Sequence, residues 1–194
     1  MKSVVLLGSV LLLSACGSMQ SQVVKKNVVF DPDSQAQIRS YGSYGSDLIR
    51  IYPETDCAKW EGTKRNAVNR RFVNGLPRKV RNISIGIPPT ELSRKTEKDT
   101  GFVFRDSYRE MVVSANQPVV LDGAFSSQTR NHHYSCRVAA SFTPKAGEAY
   151  EVRYLSEEEG CDIEVYHIGH EEKDGVRQTK KLTANYCAKP GTSF

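Results

Sequence analysis

From about residue 35 onward, apolar and polar positions alternate with a period of two, and this pattern predicts strands. The segments "AQIRSYG" (36–42) and "DLIRIYP" (47–53) alternate on either side of a Gly/Ser/Tyr stretch and predict a hairpin. In "KVRNISIGI" (79–87) the apolar series Val80, Ile83, Ile85, Ile87 ends at Pro88-Pro89. "YREMVVSA" and "PVVLDGAF" flank an Asn-Gln-Pro turn, and "HYSCRVAASF", "AYEVRYL", "CDIEVYHI" and "VRQTKKLTANYC" follow. Short breakers ("TPKAGE", "SEEEG", "EEKDG") separate them. Helical periodicity is weak, and only 64–73 and 90–99 predict short helices. About nine short strands with regular turns predict an all-β domain over 35–194. The expected form is an antiparallel β-sandwich, immunoglobulin- or transthyretin-like, or a partly open barrel.

The N-terminus follows a different pattern. Met1-Lys2 is a short positive end, Val4 to Leu13 is apolar except for Gly8 and Ser9, and Ser14-Ala15 are small. This is the layout of a secretory signal, too short for a permanent membrane span. Leu13-Ser14-Ala15-Cys16 resembles the bacterial lipobox in both spacing and position in the chain. The resemblance implies cleavage before Cys16, a diacylated Cys16 sulfur and an acylated new amine. Two or three acyl chains make a stable anchor where one does not. Gly17 stands where an inner-membrane retention Asp would, so the resemblance implies an outer-membrane destination. The periplasmic leaflet is the simplest face, with surface display as the alternative. The chain thus divides into a signal (1–15), a lipidated Cys16 with a Ser/Gln-containing tether (16–34, with a strand expected at 28–30), and one body (35–194).

Beyond Cys16 lie Cys57, Cys136, Cys161 and Cys187, an even set that predicts two disulfides in an exported chain. A three-residue loop Lys173-Asp174-Gly175, with Gly175 in the left-handed position, sets Glu172 opposite Val176 and therefore Cys161 opposite Cys187. Opposed Cα atoms lie about 4.5–5.5 Å apart, within disulfide reach. Cys57–Cys136 follows by elimination. In a simple meander a Cys136–Cys161 bridge would have to cross two strand spacings, about 9.5 Å, which is too far.

The chain has 27 Lys+Arg against 22 Asp+Glu, a mild excess that by itself identifies no partner. The distribution is more informative. Lys64, Arg65, Arg70, Arg71, Arg78, Lys79 and Arg81 form a basic run without an acid, whereas Glu157, Glu158, Glu159, Asp162, Glu164, Glu171, Glu172 and Asp174 cluster later. The basic run is a candidate docking face for an anionic envelope polymer or an acidic envelope protein, unless the two patches simply pair or face solvent. Tyr41 and Tyr44 in "SYGSYGSD" are candidate stacking residues in a loop. His132, His133, His167 and His170 fall at opposite strand ends in a meander and leave no full metal ligand set, and the cysteines lack zinc spacing. No nucleophile elbow, H-E-x-x-H or phosphate loop occurs, so no catalytic residue and no cofactor is assigned. Export removes the chain from nucleic acid.

The chain resembles the broad class of bacterial outer-membrane lipoproteins with a small disulfide-linked β-sandwich. "SIGIPP" and "SFTPKAGEAYEV" are similar to stretches in proteobacterial lipoproteins that carry no activity to transfer. The resulting expectation is a membrane-anchored, non-enzymatic binding or scaffold module. Its partners are the outer membrane, through the lipid, and an envelope protein or anionic polymer. An accessory lipoprotein of a secretion machine (the type VI lipoprotein is similar in being a tethered sandwich) and a cell-envelope hydrolase are the alternatives.

Overall fold

The computed structural model of the protein describes residues 23–42, 48–63, 66–67, 72–73, 76–77, 81–99, 106–128, 130, 133–157 and 160–188. In chain order its elements are β1 (Val23–Lys25), β2 (Gln35–Gly42), β3 (Leu48–Tyr52), β4 (Asn66–Ala67), β5 (Phe72–Val73), β6 (Leu76–Pro77), β7 (Asn82–Ser84) and α1 (Glu91–Lys98). Then come β8 (Ser107–Ser114), β9 (Val119–Gln128), β10 (His133–Phe142), β11 (Ala149–Glu157), β12 (Gly160–Lys173), β13 (Val176–Leu182) and β14 (Asn185–Tyr186). A seven-stranded sheet in the order β1-β7-β8-β2-β11-β12-β13 packs on a five-stranded sheet in the order β14-β10-β9-β3-β4, and β5 pairs with β6 in a separate ribbon. The expected all-β sandwich with little helix is the architecture found. The strands outnumber the nine expected because several are two- or three-residue segments. Among the described residues no helix is long and apolar enough to cross a membrane.

The period-two pattern builds the core. Ala36, Ile38, Val113, Tyr150, Val152, Tyr154, Ile163 and Val165 of the larger sheet meet Ile49, Ile51, Val119, Leu121, Ala140 and Phe142 of the smaller one, all buried. Each fully buried side chain of this size contributes about 1.5–3 kcal/mol. Gly123 on β9 lets the Tyr154 ring lie against the backbone, since a Cβ there would fall 2.3 Å from Tyr154 Cδ2.

The pairing departs from a meander. The expected 36–42/47–53 hairpin does not form, because both edges of β2 are taken. One pairs antiparallel with β8 along its whole length and the other parallel with β11 at Gln37–Ser40. β3 joins the second sheet against β9. The expected 90–99 helix is α1, capped by Thr90, whose side chain accepts from Ser93 N while Ser93 reaches back to Thr90 N. Glu91 in the first turn and Lys95 and Lys98 in the last complement the helix dipole. The expected 64–73 helix is contradicted at 66–67 and 72–73, which are strand, and otherwise lies outside the described residues. The tether strand lies at Val23–Lys25 instead of 28–30.

Two disulfides form, but with a different pairing from that expected. Cys57 bonds Cys187 (Cα–Cα 5.0 Å) and Cys136 bonds Cys161 (6.0 Å). The Cys161–Cys187 and Cys57–Cys136 assignment fails for three physical reasons. First, the β12–β13 turn is the two-residue Asp174-Gly175, with φ of 54° and 75° and Lys173 opposite Val176, the conformation an Asp-Gly hairpin favours. Second, a bulge between Ile168 and Glu172 shifts the register again. Third, β13 ends at Leu182 and the chain crosses to the other sheet, where Cys187 N donates to Ala139 O. The strand-spacing objection to Cys136–Cys161 does not apply either, because β10 and β12 belong to different sheets and the bond bridges the layers.

Candidate functional site

Alternation along the larger sheet sends a second set of side chains to its outer face, and these are charged. In β2, β8 and β11 the residues Arg39, Glu110 and Glu151 stand side by side: Arg39 pairs in register with Glu110 on one flank and with Glu151 on the other. All three are at least 97% buried. Arg39 Nε donates to Glu110 Oε1 at 2.9 Å and Nη1 donates to Glu151 Oε1 at 3.0 Å. Charges this deep persist only when their remaining hydrogen bonds are filled.

The segment Ser84 to Thr90 fills them. Glu110 Oε2 accepts from Ser84 Oγ (2.9 Å) and from three successive amides, Ile85 (2.7 Å), Gly86 (3.1 Å) and Ile87 (3.2 Å). Gly86, with φ of 103°, supplies the bend that points these amides inward. Arg39 Nη2 donates to the carbonyls of Ile87 (2.8 Å) and Pro88 (3.0 Å). Glu151 Oε1 also accepts from Tyr41 Oη (2.6 Å) and Thr90 Oγ1 (2.5 Å). The "SIGIPP" stretch is therefore a clamp on the ion cluster, and Thr90 joins the clamp to α1. Tyr108 places its ring 5.2 Å from the Arg39 guanidinium and donates from Oη to Glu97 of α1 at 2.7 Å. Burial, then the Glu151 charge, pushes the Tyr41 phenol far above its usual range. Burial opposes the Arg39 charge, but the fields of Tyr41, Glu110 and Glu151 outweigh it and Arg39 holds its proton more tightly than usual.

Beside this sealed half the same face opens into a groove of about 350 Å³. Its floor is Glu151, Arg153 and Tyr166; Thr90, Glu91, Leu92 and Lys95 form one wall, and Val176 to Thr179 of β13 form the other. Arg153 Nη2 donates to Glu164 Oε2 (2.6 Å) and Tyr166 Oη (2.5 Å), with its guanidinium 4.6 Å from the Tyr166 ring. Arg153 Nε is buried and has no hydrogen-bond partner among the described residues. Lys181 Nζ completes the array on Glu164 Oε1 at 2.7 Å.

Burial would raise the Glu164 carboxyl, but bonds from Lys181 and Tyr166 and the Arg153 and Lys181 charges hold it below the usual range. A depressed folded value means that the stabilisation is present above the unfolded value of 4.5 and is lost as pH falls through the folded one. Urea unfolding midpoints of Glu164→Gln should therefore fall less steeply below about pH 4.5 than those of the parent. Parallel acid limbs would refute this account of the array.

A second carboxylate, Asp122, is buried on the outer face of the smaller sheet, where it accepts from Arg50 (2.7 Å) and Arg137 (2.8 Å). Trp60 covers it, with the Arg137 guanidinium 5.4 Å from its ring and Tyr52 edge-on at 5.0 Å. The Cys57–Cys187 bond holds this lid, since Cys187 packs against the same cluster. At the sandwich end, His167 Nε2 lies 2.5 Å from Glu148 Oε2 and His170 Nε2 lies 3.7 Å from it. The His167 bond, against some burial and with help from both imidazoles, holds the Glu148 carboxyl low.

Of the residues expected to bind a partner, Tyr41 and Arg81 are among the described residues. Tyr41 is corrected outright: it lies in β2, is 6% exposed and donates its hydroxyl to Glu151, because the strand continues to Gly42, into the stretch expected to be loop. Arg81 is exposed just before β7. Cys16, Tyr44, Arg70, Arg71, Arg78 and Lys79 lie outside the described residues. Sequence reasoning missed Arg39, Glu110, Glu151 and Arg153. The available signal was a charge within two positions of bulky apolar residues on either side in three strands, "QIRSY", "YREMV" and "AYEVRY". No family model, curated protein or solved structure matches the chain.

Proposed function

We propose that the protein is an exported, lipid-anchored binding module that holds an envelope partner against the outer membrane without catalysing a reaction. The lipobox-like Leu13–Cys16 stretch supports the anchor and the export. The observation that carries the binding role is the groove, whose floor is fixed before any partner arrives. Glu151 is locked by Arg39, Tyr41 and Thr90, and Arg153 by Glu164 and Tyr166. Pre-organised polar groups cost little further ordering on binding. Those three donors fill one Glu151 oxygen, so this carboxylate serves to hold the floor rigid. Two disulfides suit an oxidising compartment.

In-cell photocrosslinking from Gln178, an exposed groove-wall residue, tests the reading in the anchored protein. Discrete crosslinked envelope proteins are expected, and Cys16→Ser should release the protein from the membrane fraction. A folded, anchored protein that crosslinks to nothing through Gln178 would overturn the binding role.

A further inference from the structure

The wall formed by β13 is also the edge of the seven-stranded sheet, and its backbone directions can be read residue by residue. Gln178 turns toward β12: its carbonyl oxygen lies 3.4 Å from where a Cβ on Gly169 would sit. Arg177 turns the other way, its N–H donating to Pro89 O at 2.8 Å. Strand alternation then aims the backbone groups of Thr179 and Lys181 at the same open side. Thr90 and Arg177 form a lone parallel bridge, so the chain at Pro89-Thr90 already acts as the first residues of an additional strand. That strand stops because Thr90 caps α1 and the backbone turns into the helix. Among the described residues the edge is thus occupied at Arg177 and open from Thr179 onward, along the groove.

The charges beside this edge select what can occupy it. Lys95, Arg153 and Arg177 line the groove against Glu91 and Glu151; Arg39 is shared between Glu151 and Glu110, and Glu164 and Glu172 pair with Arg153 and Arg177. Lys180 and Lys181 stand exposed on the strand itself. Lysines on an edge keep neutral strands from pairing with it. A strand carrying carboxylates meets no such barrier and gains from the same lysines. The partly exposed Arg153 guanidinium, whose Nε has no hydrogen-bond partner among the described residues, is a donor for such a carboxylate.

Building on the binding role proposed above, we infer that the groove takes an extended, acidic peptide segment of the partner as an extra strand on β13. It would pair with the outward backbone of Thr179 and Lys181 and lay a carboxylate over Arg153. Main-chain bonds would then supply affinity, and the basic lining would supply the choice of partner.

The test uses the mature, anchored protein and two soluble probes, a short alternating Glu/Val peptide and its Lys/Val counterpart. Amide hydrogen exchange at Thr179 and Lys181 should slow about tenfold with the Glu/Val peptide at low salt and stay unchanged with the Lys/Val peptide. Thr179→Pro removes only an outward N–H, a change that edge strands tolerate, and should abolish the protection of the Lys181 amide without altering the melting temperature. Arg153→Gln should weaken binding by about tenfold. Protection by both peptides, protection elsewhere, or none at Thr179 and Lys181 overturns the inference. If Gln178 still crosslinks to an envelope protein in cells, the binding role survives that failure; if it crosslinks to nothing, both fall together.

Discussion

Replacing Arg39 with Met should destabilise the domain by about 3–5 kcal/mol, measured by urea unfolding at neutral pH. The size follows from what remains. Glu110 and Glu151, with side-chain exposures of 0% and 3%, would lose the cation between them and stay buried. The carbonyls of Ile87 and Pro88 would also lose their donor. Domains of this kind are stable by about 5–15 kcal/mol, so this one change removes a large share. Replacing Arg39, Glu110 and Glu151 together with apolar residues of similar volume should recover much of the loss, because no orphaned charge is left. Lys181→Met, which removes a half-exposed lysine from a carboxylate that Arg153 and Tyr166 still hold, should cost far less. An Arg39→Met protein as stable as the parent would mean that water reaches the cluster and that the clamp of Ser84 to Thr90 does not seal it.

The second large effect concerns the covalent links. Cys57–Cys187 spans 130 residues and Cys136–Cys161 spans 25. The chain-entropy relation assigns about 5 kcal/mol to the first and about 3.5 kcal/mol to the second. Paired serine variants should therefore melt in that order, with the Cys57/Cys187 variant the less stable. The difference should widen further because that bond also holds Trp60 over the buried Asp122. The opposite order in thermal melts would show that the Cys136–Cys161 link between the sheets outweighs loop length. Peptide mapping under non-reducing conditions checks the connectivity itself.

These two cases also show which parts of the structure local chemistry could convey. The core was legible because burial on one face of a strand writes itself as alternation: Ile49 and Ile51, Val119 and Leu121, Val152 and Tyr154 all obey it. Helix α1 was legible through Thr90 and the Pro-Pro before it. Connectivity was not, because adjacency in sequence says nothing about which sheet a strand joins when β2 has two better partners. The disulfide pairing failed on a single turn residue, one bulge and the crossing of the chain after Leu182: a register count carried over the twelve positions from Glu172 to Cys161 tolerates none of them. The buried ion cluster was hidden for a different reason. Arg39, Glu110 and Glu151 occupy positions that alternation assigns to solvent, and only the return of Ser84 to Thr90 over that face buries them. "SIGIPP" stood out as a motif, but its amides and carbonyls acquire a role only once β8 and β2 lie beneath it. The groove depends on three separate segments and has no local signature.

The short β1 strand has a mechanical consequence. It holds to the body through three residue pairs with β7 and the bond from Lys26 N to Ser84 O, whereas β2 behind it is locked on both edges. A pull on the N-terminal side would load β1 first and peel it away well before the core bears any force. The stretch from Val23 to Phe30 would then become slack, roughly 28 Å of chain at about 3.5 Å per residue, up to the turn at Asp31–Ser34 that Ala115 holds. The body would keep its shape while its distance from a fixed point changed, much as a leash lengthens before the collar tightens.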